Sequence, residues 1–443
     1  MTRAATQLDL HDIQRGVLSP RPTPYTATYL LLRIDDQADG RQFMRRAAGV
    51  VTSAVGEANP LGDTSVSVAV TCHGLRALGV PQQSLDTFAW EFRQGMAARA
   101  AALGDTGDSA PEHWEPPLGS PDVHIALTVV APDSDRLKAA IDRARPAYAA
   151  LPGVTAIWRQ NCHATADETE PFGYRDGVSH PAVEGSGFPG SNPLETPLQP
   201  GEFVLGHPDE LGGTQHVQPE VLGRNGSYVA FRKLHQRVAA FRRYLAVHAA
   251  TPDEEALLAA KFMGRWRSGA PLALSPHHDD PVLGSDPHRR NAFGYAEDPT
   301  GYVTPAGSHI RRANPRDADV AGEPRLHRMI RRGTVYGPPL PDGVLDDDGA
   351  DRGIMFAFVG AHLGRQFEFV QSEWINDGVF FGAGAARDPI AGRHRPEHDD
   401  YTIPRRPVRR RLHGLPQFVV TRGGEYGFMP GLRALRWLGD LPG

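Results

Sequence analysis

One stretch of the chain gathers residues that could do chemistry. Between Gly307 and Gly337 a histidine, His309, is followed by Arg311, Arg312 and Arg316, and the stretch ends in a second arginine pair, Arg331 and Arg332, beside Thr334-Val335-Tyr336. An imidazole can ligate a metal, guanidinium forks grip carboxylates, and an arginine pair entering a strand sends its two side chains to opposite faces. A soft metal centre carrying carboxylate arms would use all three, and haem is a cofactor of that kind. On spacing alone His309, one of 19 histidines, reads more readily as a satisfied polar residue than as a ligand. The arginines read poorly as a nucleic-acid surface, because 47 Lys and Arg against 52 Asp and Glu leave a net charge of -5.

Two further segments change the weight of that stretch. Upstream stands Phe172-Gly173-Tyr174-Arg175-Asp176-Gly177, a GxxDG motif, and downstream Ile330-Arg331-Arg332-Gly333. Together with His309-Ile310-Arg311-Arg312-Ala313-Asn314-Pro315-Arg316, in this order over some 160 residues, they resemble the dye-decolorising peroxidases of the long bacterial kind. Gly201-Glu202-Phe203-Val204-Leu205-Gly206, Gly226-Ser227-Tyr228 and Arg365-Gln366-Phe367-Glu368-Phe369 add to the likeness, which runs over roughly residues 11 to 430. One departure is Thr304-Pro305-Ala306-Gly307-Ser308, where many relatives carry a cysteine-proline; that cysteine is not a ligand in the family pattern.

The resemblance implies a haem b peroxidase that reduces hydrogen peroxide and oxidises phenolic compounds or dyes through a ferryl intermediate. It makes His309 the iron ligand, Asp176 the acid-base residue and Arg331 the distal cation. It makes Arg316 the clasp of a haem propionate, with Arg311 a lesser candidate, and places Val178, Phe356 and Phe358 against the haem. It offers Asp388 as acceptor for the second nitrogen of His309. The residues themselves leave Asp388 open, since an aspartate before Pro389 reads equally well as a turn. Asp176-Gly177 alone also reads as a turn. Tyr336, Trp374 and Tyr228 are candidate relays of oxidising equivalents to bulky dyes, or ordinary core. The competing readings are a haem carrier or sensor, a haem-processing protein that releases iron, and a double domain that binds no haem.

These residues need elements to hold them. With 443 residues the chain can bury a large core and divide in two. Apolar alternation and helical spacing predict strands at 25–34, 65–71, 123–130 and 154–158, with helices at 39–55 and 134–151 and shorter helical pieces between. That is the β-α-β-β-α-β order of a ferredoxin-like unit. A second such order follows: strands 227–234, 330–336, 353–359 and 418–421, with helices over 236–247, from the Thr251-Pro252-Asp253-Glu254 capping box, and over 363–375. The expectation is an α+β protein of two ferredoxin-like domains with antiparallel sheets, an arm at 1–26 and domains at 27–214 and 215–443, the haem held mainly by the second.

Cys72 and Cys162 provide no disulfide framework, and their neighbours His73 and His163 lie too far apart for a recognisable zinc signature. The N-terminus has neither an apolar signal core nor twin arginines, and no run of about 18 apolar residues appears. A cytoplasmic protein is expected, with peroxide and an aromatic reductant as partners, no nucleic acid and no membrane. The resemblance adds a homodimer.

Overall fold

The structure, a computed structural model, describes residues 8–55, 62–320, 322–379, 386–395 and 399–442, so the first seven residues of the N-terminal arm lie outside it. The strands are β1 (Thr26–Ile34), β2 (Ser65–Val70), β3 (Ile125–Ala131), β4 (Val154–His163), β5 (Ser227–Gln236), β6 (Ile330–Arg331), β7 (Thr334–Tyr336), β8 (Gly353–Gly360), β9 (Tyr401–Ile403), β10 (Arg410–Leu412) and β11 (Val419–Met429). The helices used below are α1 (Arg15–Leu18), α2 (Gln37–Ala47), α3 (Ser134–Ala144), α4 (Val238–Val247), α5 (Pro252–Met263), α6 (His309–Ala313) and α7 (Leu432–Gly439).

Nine strands form one sheet, ordered β4-β1-β3-β2-β11-β5-β8-β6, with β7 also on β8; β9 and β10 pair separately. The first half contributes β4-β1-β3-β2 and the second β11-β5-β8-β6, which is the same ferredoxin-like order twice. The halves are joined through β2 and β11, where Phe428 opposes Val70. At the far ends β4 comes round to β7. There the Val335 N–H donates to the Tyr25 hydroxyl (2.8 Å) and Thr334 Oγ1 to Tyr29 Oη (3.0 Å). The sheet therefore curls into a barrel with an inside and an outside.

Side-chain alternation separates the two faces. Leu30, Leu32, Val68, Leu127, Ala230, Phe358 and Phe428 join the outer core under the helices, where Phe43, Met44 and Ala47 of α2 and Leu435 and Leu438 of α7 pack. Tyr29, Leu31, Ala69, Ala126, Val229, Phe231, Met355 and Met429 face inward. A third core beneath α4 and α5 (Phe241, Leu245, Leu258, Phe262) supports the second half. Removing one of these large buried side chains would cost about 3–5 kcal/mol.

Local rules explain most boundaries. Thr251 caps α5 by accepting from Glu254 N, with Pro252 opening the helix. The α3 helix is capped by Asp133, whose side chain accepts from Arg136 N. The strand expected over 330–336 is two short pieces, broken at Arg332 and Gly333. The 363–375 helix is π-helical over Leu363–Glu368 and Val370–Ile375. Glu202 and Arg365, from two of the segments that resemble the family, meet through one guanidinium nitrogen bonded to both carboxylate oxygens (2.8 and 2.9 Å), tying the long 164–226 connection to that π-helix.

Candidate functional site

A cavity of about 330 Å3 opens on the outer face of the second half, between β5, β8 and β6 on one side and α6 on the other. It brings together Asp176, Val178, His309, Arg316, Arg331 and Phe356.

His309 opens α6, a helix of five residues. So short a helix needs external anchors. Arg312, on its next turn and fully buried, supplies them: Nε donates to Gly307 O, Nη1 to Trp374 O and Asp377 O, and Nη2 to Ala386 O. His309 Nδ1 lies 2.8 Å from Asp388 Oδ2. Asp388 Oδ1 accepts from the backbone N–H groups of Ile390 (2.8 Å) and Ala391 (2.9 Å). The two readings of Asp388 thus hold together: one oxygen makes the turn and the other receives the imidazole. Burial alone would raise its pKa, but His309 and the backbone donors outweigh it and hold the carboxyl below its ordinary value. With Nδ1 committed, no hydrogen-bond partner is found for Nε2 among the described residues, and the ring lines the cavity.

The GxxDG segment forms the rim above. Gly177, after Asp176, takes the left-handed backbone of an Asp-Gly turn (φ 70), and Gly173 takes it too (φ 92). A buried carboxylate, Glu170, organises this loop: it accepts from Phe172 N (3.1 Å), Tyr174 N (3.0 Å) and Gln236 Nε2 of β5 (2.6 Å). Asp176 Oδ2 accepts from Arg21 Nη2 at 2.6 Å. Arg21 comes from the proline-rich arm, donates Nε to Gly333 O (3.0 Å), and lies 4.1 Å over the Tyr25 ring. Arg331 donates to Ser179 O (3.2 Å) and no carboxylate pairs with it among the described residues. Burial lowers its pKa, and the nearby Asp176 charge opposes that drop. Arg332 goes to the other face, donating to the carbonyls of Gly16, Val17 and Leu18.

Arg316 sits at the cavity edge in left-handed backbone (φ 56), an uncommon state for a non-glycine residue. Its guanidinium donates to Asn291 O (2.9 Å) and Phe293 O (2.8 Å) and lies 3.8 Å over the Phe293 ring. Arg265 reaches the same asparagine through Oδ1 (2.6 Å). Burial, then the like charge of Arg316, push Arg265 down to about 9. Two neighbouring cations satisfied only by neutral oxygens make a place for an anion.

Two expectations are corrected. Arg311 does not reach the cavity: its guanidinium donates to Thr304 O (2.8 Å) and Asp298 O (2.9 Å) and lies 4.6 Å over Tyr295. Two residues after His309 on a tight helix, it faces the 298–304 loop instead. Phe358 shares a face with Phe356 but lies beyond the end of the cavity, packed on Phe367 (5.8 Å between centroids). The second aromatic wall is Phe367 itself, 6.1 Å from Phe356. Tyr336, Trp374 and Tyr228 are buried and none lines the cavity.

Several site residues escaped the sequence reading. Arg21 and Arg265 reach the site through long-range contacts with no local signal. Glu170 stands six residues before Asp176 and could have been sought as the acceptor that a tight loop needs. His180, four residues after Asp176, also lines the cavity. Burial, together with Arg332, Arg331 and Arg21, pushes it down to about 3, so its ring is neutral.

The cavity lining suits haem. Among the described residues it presents two imidazoles, His309 backed by Asp388 with Nε2 uncommitted and His180 with Nδ1 unpartnered, apolar walls from Ile354, Phe356, Phe367 and Ile390, and eight arginines against three carboxylates. Arg265, Arg316 and Arg331 hold no carboxylate among the described residues, so a dianionic cofactor would supply the missing counter-charge.

Glu170 sets a pH dependence. Burial is the largest influence and pushes its pKa up to about 7, against hydrogen bonds from Tyr174, Gln236 and Phe172 that lower it. A carboxyl raised in the folded state stabilises below its ordinary value of 4.5 and loses that contribution as pH rises through 7. Glu202 and Glu425, also raised to about 7, act with the same sign. Denaturation at pH 5 and pH 8 is expected to show lower stability at pH 8, and Glu170→Gln should shrink the difference by on the order of 2 kcal/mol. An unchanged difference would count against the raised carboxyl.

The chain is similar to known proteins along most of its length. Residues 12–151 match the family model described as the DyP dimeric alpha+beta barrel domain. The chain is 32% identical to Peroxidase 2 of Mycetinis scorodonius, over 84% of this chain and 76% of that protein. It is 31% identical to the multifunctional dye peroxidase DyP2 of an Amycolatopsis species, over 98% of this chain and 96% of that one. A solved dye-decolorising peroxidase in complex with 2,6-dimethoxyphenol superposes with a TM-score of 0.83 at 26% identity, covering 98% of this chain and all of that one.

Proposed function

The chain belongs to the dye-decolorising peroxidase family and is a haem peroxidase that reduces hydrogen peroxide while oxidising phenols or dyes; from that premise we propose which residues do the work. His309 holds the iron of haem b, Asp388 orients it, Arg316 and Arg265 receive carboxylate arms, and Asp176 and Arg331 perform the peroxide step. The observation that supports this most is the convergence of His309, backed by Asp388, with Asp176 and Arg331 on one cavity.

When bound, haem would supply the iron that reacts with peroxide and the oxidising equivalents that the reductant quenches. The chain supplies the rest. Ionised Asp176 accepts a proton from the near oxygen of the peroxide and returns it to the far oxygen, which leaves as water. Arg21 pairs with that carboxylate and fixes its position. Arg331, with permanent charge, stabilises the negative charge that grows on the departing oxygen. Phe356 and Phe367 keep the access narrow. Asp388 keeps the proton of His309 on Nδ1, leaving Nε2 as the donor to iron.

The test is an absorption spectrum of the haem-loaded protein before and after one equivalent of hydrogen peroxide, followed by turnover of 2,6-dimethoxyphenol. A Soret band that shifts with peroxide and returns on adding the phenol is expected. No Soret band after haem loading would defeat the proposal, and iron release from added haem without phenol oxidation would indicate haem processing instead. Asp388→Asn keeps the turn-making oxygen but removes the carboxylate from His309. It is expected to speed haem loss about 10- to 100-fold with an unchanged fold, measured by haem transfer to an acceptor protein.

A further inference from the structure

The barrel has a second cavity, of about 80 Å3, on the inside of the sheet. Alternation separates the two: Arg232, Leu234, Ile354 and Phe356 face the first, Val229, Phe231, Met355 and Ala357 the second. We propose that this inner cavity binds a small amphipathic monocarboxylate, its carboxylate at α1 and its apolar body against β5, β8 and β11.

The polar end of the site is built on one helical turn. Arg15 and Ser19 are four residues apart at α1, both are buried, and both line the cavity. Arg15 Nη2 meets Asp63 at 3.1 Å, a carboxylate that is itself 73% exposed. Arg15 Nη1 and Ser19 Oγ are buried with no partner among the described residues. Beside them Arg332 is held by the carbonyls of Gly16, Val17 and Leu18, again with no carboxylate among the described residues. Arg21, at the edge of both cavities, is already paired with Asp176. Three guanidiniums against one exposed carboxylate line this space.

Buried donors without acceptors are costly, and a buried cation without a counter-ion more so. Burial and the like charge of Arg21 lower Arg332 to about 9, in keeping with a missing anion. The opposite wall is apolar: Ala126, Val229, Met355, Ala357, Val359 and Met429. Ser65 and Ser67 hydroxyls lie 3.3 Å apart and pair with each other. A neutral hydrocarbon would leave Arg15 and Ser19 unmet, and a dicarboxylate would press a second charge on Met355 and Val359. One carboxylate on a short apolar body meets both ends.

Methionines report which cavity is filled. Met355 and Met429 line the inner one, Met263 and Met329 the haem cavity. The haem-loaded protein, carrying 13C-methyl methionine, is titrated with benzoate and separately with benzyl alcohol. Saturable shifts of the Met355 and Met429 methyls by benzoate, with binding at least tenfold weaker for benzyl alcohol and for Arg15→Met, are expected. Ser19→Ala, a smaller change, should weaken benzoate severalfold and guards against misfolding of the first variant. Shifts confined to Met263 and Met329, equal binding of the alcohol, or no shift at millimolar benzoate would each overturn the proposal.

Discussion

His309→Ala is expected to lower haem affinity by at least about 100-fold, more than loss of a supporting hydrogen bond would. Among the described residues lining the cavity, His309 is the one imidazole held from behind by a carboxylate with its other nitrogen uncommitted. Its side chain is 26% exposed and lines open space, so truncation removes little packing. The helix around it is held by Arg312, not by His309. Circular dichroism should therefore match wild type while the Soret band is lost or displaced. A Soret titration indistinguishable from wild type would mean that another residue binds the iron.

Asp176→Asn is expected to slow the reaction with peroxide by about 100- to 10,000-fold, the usual range for a positioned proton-transfer group. Asparagine keeps the shape and accepts from Arg21 but cannot take the proton. Arg331→Ala should cost about 100- to 1,000-fold by removing charge stabilisation. Because both act on one bond cleavage, the double variant should fall short of the product of the two effects. Arg21→Ala separates chemistry from positioning: Asp176 remains but loses the 2.6 Å bond that fixes it, so a much smaller loss is expected. Stopped-flow mixing with peroxide measures all four. Wild-type rates in Asp176→Asn would remove Asp176 as the proton-transfer group.

The double β-α-β-β-α-β order was legible because β1, β2, β3 and β5 are apolar, β-branched runs bounded by turn residues. Strand lengths were not. Trp158 to His163 carry Arg, Gln and Asn and extend β4 through register with β1, not through their own pattern. The β11 strand runs on through Gly423 and Gly424, where the register shifts and where composition alone suggests a loop. At the site, motif residues with fixed local geometry (Asp176, His309, Arg331) came together in the cavity. What local pattern could not place was direction and distance. Arg311 turns to a loop carbonyl, Phe358 lies one step past the cavity, and Arg21 arrives from 155 residues upstream of its partner.

The seam between β2 and β11 decides the order in which this chain can fold. Phe428 finds Val70 across a loop of more than 350 residues, whose closure costs on the order of 5 kcal/mol of chain entropy. Until β11 is in place, β2 and β5 are bare sheet edges, β2 carrying three valines in six residues, the state in which strands pair with the wrong neighbour. Slow assembly follows from such a topology, and with it a need for protection during synthesis. Once β11 has entered, it hydrogen-bonds to strands of both halves, so neither half has an edge along which to peel away from the other. Melting should then run through the whole sheet at once.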